Sequence, residues 1–192
     1  MRAMSLTDVD GAFEAVTESV DEVRRWLWWA QGPLDEDSYH DFVRAQSEKF
    51  VNDVEWRYYV IDRFDNHLVG GGSINPAHST DTQSASVGYW IRTSCTKRQF
   101  ATQAASLLTD AAFTYLTEIA EVEISMDVAN VASARIPAKL GFSLRGEFDR
   151  AIRAPGHTGR GFIWSLSRAA WRGPQESGTS SSLKQPRTLS DS

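Results

Sequence analysis

The spacing of apolar residues along the chain changes period several times, and each change marks an element. In the first third, Thr7 with Asp10, Ser19 with Glu22 and Ser38 with Asp41 each pair a hydroxyl with an acid three residues on. Such pairs supply oxygens to the orphan amides of a starting helix, so three helices are expected there. From Trp56 the β-branched and aromatic run 56–63 and the run 67–74 flank the turn pair Asp65-Asn66, which predicts a hairpin. Residues 85–91 give a further strand. Helical spacing returns with Ala101, Ala104, Ala105, Leu108, Ala112, Tyr115 and Leu116, a long helix with a closely packing alanine face that ends near Glu118. Val122, Ile124 and Met126 then alternate with Glu121, Glu123, Ser125 and Asp127 as a strand. Residues 131–140 form a helix closed by Gly141 and kept short or kinked by Pro137, which lacks an amide donor. Runs 142–153 and 160–168 flank residues 155–159 as a last hairpin. The order is helices, meander, helix, strand, helix, hairpin, which is a mixed α/β (α+β) pattern.

Composition narrows this to one folded unit. The 192 residues are 41% apolar and 23% charged, enough for a single core. Residues 1–172 are read as that domain. Residues 173–192 hold six serines, two prolines and no aromatic residue, and are expected to be a disordered tail. The tail's Lys184 and Arg187 balance Glu176 and Asp191, so the folded body carries the whole net charge of -5. That balance argues against a general nucleic-acid or membrane-surface binder and suits a neutral or cationic partner. Cys95 is the single cysteine, which excludes an intramolecular disulfide and a cysteine-based metal site. Residues 1–10 lack an apolar leader core, and no run of eighteen apolar residues occurs, so the chain reads as cytoplasmic. No metal is expected.

Several strings then acquire meaning together. Val87-Gly88-Tyr89-Trp90-Ile91, Phe100-Ala101-Thr102 opening the long helix, Asn130-x-x-Ser133 and Lys139-Leu140-Gly141-Phe142, with Gly146 after them, resemble the GNAT superfamily of acyl-CoA N-acyltransferases. The branch most similar is the one that acetylates N-terminal amines of ribosomal proteins, together with related small-molecule acetyltransferases. The resemblance spans residues 6–171. It implies a mixed, mostly antiparallel sheet, splayed near its middle and flanked by helices on both faces, with acetyl-CoA inserted as a pseudo-strand. Residues 1–6 leave length for only a fragment of the first strand seen in relatives.

The resemblance also implies where acetyl-CoA is held. Its pyrophosphate would sit at the N-terminus of the long helix, on Lys97, Arg98, Gln99, Phe100, Ala101 and Thr102, where free N–H groups and the helix dipole favour anions. Asn130 would bond the CoA chain, and the backbone N–H near Ile91 would face the oxyanion. Relatives carry a loop resembling Arg/Gln-x-x-Gly-x-Gly/Ala, whereas this chain has Thr96 first and Gln99 at the glycine position. Without glycine, either an ordinary φ or a more distant phosphate is expected. Lys97 and Arg98 either compensate by direct charge-assisted contact or form a solvated basic turn.

The implied reaction is direct attack of a primary amine, on a protein N-terminus or a small molecule, on the acetyl thioester. Relatives often place a glutamate before the Gly-Tyr-Trp string, where this chain has Ser86. Glu123 is therefore the candidate base, with Asp127 further along the same strand face, and burial there is expected to raise a carboxylate's pKa; alternatively Glu121, Glu123 and Asp127 form a solvated strand face or helix-packing salt bridges. Pro137 stands where many relatives have a tyrosine, so no phenol is expected for the leaving thiolate and Ser133 takes that role. Asn130 and Ser133 also suit helix capping. Trp26, Trp28 and Trp29 cannot share one buried face, so at least one is expected near a groove. His157 in the last loop is expected to be solvated and without a role. A reading from another class is a catalytically degenerate GNAT fold that binds acyl-CoA or a protein; Thr96, Gln99, Ser86 and Pro137 motivate it. A homodimer is compatible with either.

Overall fold

A computed structural model describes residues 1–76 and 83–173, and the tail expected beyond Gly173 lies outside the described residues. The elements are β1 (Arg2–Ala3), α1 (Val9–Glu18), α2 (Val20–Trp26), α3 (Glu36–Val51), β2 (Trp56–Ile61), β3 (Leu68–Asn75), β4 (Ser84–Ile91), α4 (Phe100–Tyr115), β5 (Glu121–Asp127), α5 (Val131–Lys139), β6 (Ser143–Asp149) and β7 (Arg160–Ser167). Their order is the expected one. The expected strand fragment at the N-terminus is β1, which pairs Arg2 with Tyr59 and Ala3 with Tyr58.

Element ends were less legible. α3 is capped by Asp35, whose carboxylate accepts from the Ser38 N–H at 2.9 Å and from its hydroxyl at 2.8 Å. Ser38 is thus the donor inside the first turn, three residues after the cap. Thr7 lies in a short 3-10 turn and meets the Ser5 hydroxyl, making no cap for α1. Ser19 stands at the start of α2, but its hydroxyl accepts instead from the Thr93 N–H at 2.9 Å. A long-range partner has taken the oxygen. α4 stops at Tyr115, short of the expected Glu118. There the Arg168 guanidinium donates to the carbonyls of Phe113, Leu116 and Ile119 at 2.6–2.9 Å and so closes the helix's open end. That residue is far along the chain, and helical spacing carries no sign of it.

The strands form one sheet in the order β1-β2-β3-β4-β5-β7-β6, antiparallel throughout except for the β4–β5 pair. Both faces are covered. On one, Tyr58, Ile74, Val87, Val122, Ile124 and Met126 pack with Leu108 and Phe113 of α4. On the other, Tyr59 and Leu68 pack with Ala12 and Val16 of α1 and Tyr39 and Val43 of α3. Adjacent tyrosines of β2 thus enter opposite cores, as strand alternation requires. The β2–β3 turn holds Asn66 at φ 58, a conformation asparagine tolerates, and Asp65 accepts from the His67 N–H at 2.9 Å.

β3 carries Gly70, Gly71 and Gly72 where neighbours press against its backbone. A Cβ at Gly71 would lie 2.7 Å from Trp90 Nε1, and one at Gly72 would lie 2.6 Å from Leu108 Cδ1. These glycines let the Trp90 indole and α4 lie directly on the sheet. Gly71→Ala is therefore expected to lower stability by about 1–3 kcal/mol through overpacking. Gly11→Ala, on the exposed side of α1 with nothing within 4 Å of the added carbon, is expected to raise it by about 0.5–1 kcal/mol. Thermal melting of the two variants should show opposite signs.

Candidate active site

β4 and β5 pair at Ser84–Glu121, Ala85–Val122 and Ser86–Glu123 and at no residue beyond. β4 continues to Ile91 and β5 to Asp127, so the two strands part and leave a cleft within the sheet. Each keeps its outer partner: β4 stays paired with β3 through Ile91, and β5 with β7 through Asp127. The expected splay is therefore present.

Hydrogen-bond alternation determines what faces the cleft. The Arg92 N–H donates to the Val69 carbonyl at 2.8 Å, so Arg92 and, two residues back, Trp90 turn their backbone groups toward β3. Tyr89 and Ile91 turn theirs the other way, into the cleft. On the facing strand, the Val128 N–H donates to the Arg160 carbonyl at 3.2 Å, which sends the backbone groups of Met126 toward β7 and those of Ser125 toward the cleft. Ser125 is exposed although its strand neighbours are buried. Such a slot suits an extended molecule carrying its own amide donors and acceptors.

At the cleft's end stands the N-terminus of the sixteen-residue α4, which no side chain caps. Its first amides, those of Phe100, Ala101 and Thr102, precede the first intrahelical bond, from the Gln103 N–H to the Gln99 carbonyl at 3.0 Å. Gln99 has φ 66 and Lys97 φ 62. The ordinary φ offered as one alternative for Gln99 is thus not what the chain adopts. Gln99 takes the left-handed conformation that glycine would take without penalty, at a cost of about 1–2 kcal/mol. Lys97 is exposed, whereas Arg98 is held 3.4 Å from the buried Asp62 carboxylate and 5.0 Å above the Phe100 ring.

α5 starts beside the other wall. The Asn130 side chain accepts from the Ser133 N–H at 3.2 Å and caps the helix, leaving its amide group as a donor. The Ser133 hydroxyl lies 3.4 Å from the hydroxyl of Tyr89 on β4. A phenol does reach this end of the cleft, contrary to the expectation built on Pro137. It comes from a strand rather than from the helix.

Glu123 is buried, on the β5 face turned away from α4, at the last rung before the strands part. Asp127 shares that face but is fully committed. Its carboxylate accepts from the Thr158 N–H at 2.8 Å, the Thr158 hydroxyl at 3.0 Å and the Ala129 N–H at 3.0 Å. Burial pushes this carboxyl up, but those hydrogen bonds and the Arg150 charge outweigh it and hold the pKa below the usual range. The expected rise does not occur at Asp127, which serves as a pin for the β6–β7 loop. His157 in that loop is buried, not solvated as expected. Its Nδ1 accepts from the Arg153 N–H at 3.2 Å, which leaves Nε2 to donate to the Trp26 carbonyl at 3.0 Å. The loop thereby docks on the C-terminal end of α2.

Of the tryptophans, Trp28 is 53% exposed, Trp26 lies under the Arg25 guanidinium, and Trp29 stacks on Phe42 and leans on Trp90. The expected exposure of at least one is met by Trp28, which lines neither described groove. Arg92, just past β4, is buried and binds Glu18, Glu14 at 2.6 Å and His67 Nε2 at 2.8 Å, tying α1 to the cleft. It also borders a groove of about 600 Å³ lined by Asp10, Glu14, Glu18 and Glu36 over Phe13. Among the described residues, Asp10, Glu36 and His40 bring three potential ligand atoms within 4.8 Å of one another, and the two acids are exposed.

A family model described as "Acetyltransferase (GNAT) domain" matches residues 1–143. The "Putative ribosomal N-acetyltransferase YdaF" of Bacillus subtilis (strain 168) is 24% identical over 178 residues, covering 90% of this chain and 93% of its own. Among solved structures, the RimL ribosomal L7/L12 alpha-N-protein acetyltransferase in complex with coenzyme A superposes with a TM-score of 0.76 at 19% identity, over 88% of this chain and 93% of that one. Mycobacterium smegmatis RimJ in complex with CoA-disulfide gives 0.77 at 16% identity, over 90% and 88%. At these identities the two structures speak for the fold.

Asp127→Ala leaves the Thr158 and Ala129 amides without their acceptor and is expected to cost about 2–4 kcal/mol in denaturant unfolding. Because the folded pKa lies below the unfolded one, the stability due to the charge is present above about pH 3.9 and lost as pH falls through the folded value. The gap in stability between wild type and Asp127→Asn should therefore hold at neutral pH and narrow in strong acid.

Proposed function

We propose that this chain, which belongs to the acetyltransferase (GNAT) domain family and is an acyltransferase by that membership, moves an acetyl group from acetyl-CoA to a primary amine. The observation that carries the reading is the cleft opened where β4 and β5 stop pairing after Glu123, with the uncapped end of α4 beside it. The residues present fit acetyl-CoA. The backbone groups of Tyr89, Ile91 and Ser125 can pair with the amides of an extended CoA chain, and the first amides of α4 can receive its pyrophosphate. Asn130 has its amide to offer. Lys97 is available to phosphate, while Arg98 would have to exchange Asp62 for it. The bound cosubstrate supplies an activated acetyl carbonyl.

The chain's own groups supply the rest. Glu123 takes the proton from the attacking amine, the Ile91 N–H receives charge developing on the carbonyl oxygen, and the Ser133 hydroxyl donates to the departing sulfur. The left-handed φ of Gln99 favours an acyl-CoA site over a protein-only binding module, because the loop keeps the backbone path that a glycine would give. The acidic groove bordered by Arg92 and the net charge of -5 suit a cationic acceptor. The description of YdaF as a putative ribosomal N-acetyltransferase and of RimL as a ribosomal L7/L12 alpha-N-protein acetyltransferase favours a protein N-terminus in a cytoplasmic setting over a small molecule.

Calorimetry with acetyl-CoA, followed by thiol release over a panel of N-terminal peptides and small amines, tests this directly. Absence of binding at millimolar acetyl-CoA would remove both CoA readings, and binding without release on any amine would favour the degenerate one. Within an active enzyme, Glu123→Gln is expected to lower kcat by about 100-fold or more while leaving acetyl-CoA affinity unchanged. Unchanged turnover would exclude Glu123 as the base.

A further inference from the structure

Two features of α5 meet at one residue. Pro137 lies in the helix's second half and has no N–H, so the carbonyl four residues back, that of Ser133, loses its helical donor. The Tyr89 hydroxyl lies 3.5 Å from that carbonyl and 3.4 Å from the Ser133 hydroxyl. Tyr89 stands on β4 beyond the last β4–β5 rung, so it reaches from one wall of the cleft to the helix that follows the other. The proline makes the vacancy in the helix, and the strand's phenol occupies it, its single proton shared in a three-centre bond between the carbonyl and hydroxyl oxygens of Ser133.

The geometry points to Tyr89 as a positioning residue that acts through Ser133, fixing the serine hydroxyl so that its proton is directed to the departing sulfur. This rests on the acetyl-transfer reading above. A serine inside a helix commonly donates to the carbonyl one turn back, which would withdraw its only proton from the cleft. An oxygen that accepts from Tyr89 keeps that proton for the ligand. When the carbon–sulfur bond breaks, the electron pair stays on sulfur, and the Ser133 O–H stabilises it by a hydrogen bond. No proton needs to leave Tyr89. Burial pushes the phenol up to about 12 against the opposing effect of its hydrogen bond with Ser133, so it keeps its proton at every working pH. Contacts of 3.4–3.5 Å are long, as catalytic hydrogen bonds often are before the substrate charges them.

Tyr89→Phe keeps the ring and removes only the hydroxyl. Steady-state kinetics on the best amine of the panel should show kcat lowered about 10- to 100-fold, with KM and calorimetric affinity for acetyl-CoA and the melting temperature nearly unchanged. Ser133→Ala should lose a similar factor, and adding Tyr89→Phe to it should cost nothing more, because both act through one hydroxyl. Multiplied losses in the double variant, or a loss confined to KM or affinity, would overturn the assignment. A wild-type enzyme that binds acetyl-CoA but releases no thiol on any amine overturns the transfer reading itself, and that outcome is seen before any variant is compared.

Discussion

The whole site depends on one interruption of hydrogen bonding: β4 and β5 pair for three residues and then stop. A seven-stranded sheet with a gap in its middle exposes backbone donors and acceptors where a continuous sheet would have none. Beyond the last β4–β5 rung those groups have no ladder partner across the gap among the described residues, and each strand spends its other edge on β3 or β7. They are left to water or to a ligand with amides of its own. The cleft is thus a binding site made by topology, before any side chain is considered.

A gap in a sheet weakens it, and the walls are held apart by contacts that do not cross the gap. On the β4 side, Arg92 joins the strand's end to Glu14 and Glu18 of α1, and Ser19 accepts from Thr93 in the turn that follows. On the β5 side, Asp127 fixes Thr158, and His157 fixes the Trp26 carbonyl, so the β6–β7 loop leans on α2. Both sets of latches end on the α1–α2 pair, which therefore acts as a brace for the two walls. Buried ionic and polar groups of this kind add little net stability but strongly penalise alternative placements. That suits a cleft whose width must match one extended chain.

The fold was readable in the sequence because it is written in local periodicity: alternation in Val122 to Met126, helical spacing from Ala101, a turn pair at Asp65-Asn66. What was unreadable depends on partners distant in sequence. Ser19 has the residue type of a cap and is claimed by Thr93; α4 ends early because Arg168 takes its carbonyls; His157 is buried because α2 lies beneath it. At the site the same division holds. Glu123 and Ser133 could be named from strand parity and a short motif, and the structure puts the first at the closing rung and the second beside Tyr89. Tyr89 was not legible as this phenol because relatives place the tyrosine in the position of Pro137 on α5, whereas here it comes from β4. The signal that could have found it was Pro137, since a proline in mid-helix always orphans a carbonyl and invites a donor from elsewhere.

Gln99 shows why a damaged motif can mislead. Glycine in such a loop matters for the path it permits, and an unbranched residue such as glutamine can follow that path at a cost of about 1–2 kcal/mol. Here two residues, Lys97 and Gln99, follow it, so the surrounding structure must hold the loop against that preference. The buried Cys95 just before it and the Arg98 contacts with Asp62 and Phe100 supply such restraint. The groups that would meet an anion are then backbone amides, which every residue but proline carries. A change of side chain at position 99 alters the energy of reaching the binding conformation and leaves the binding groups themselves in place.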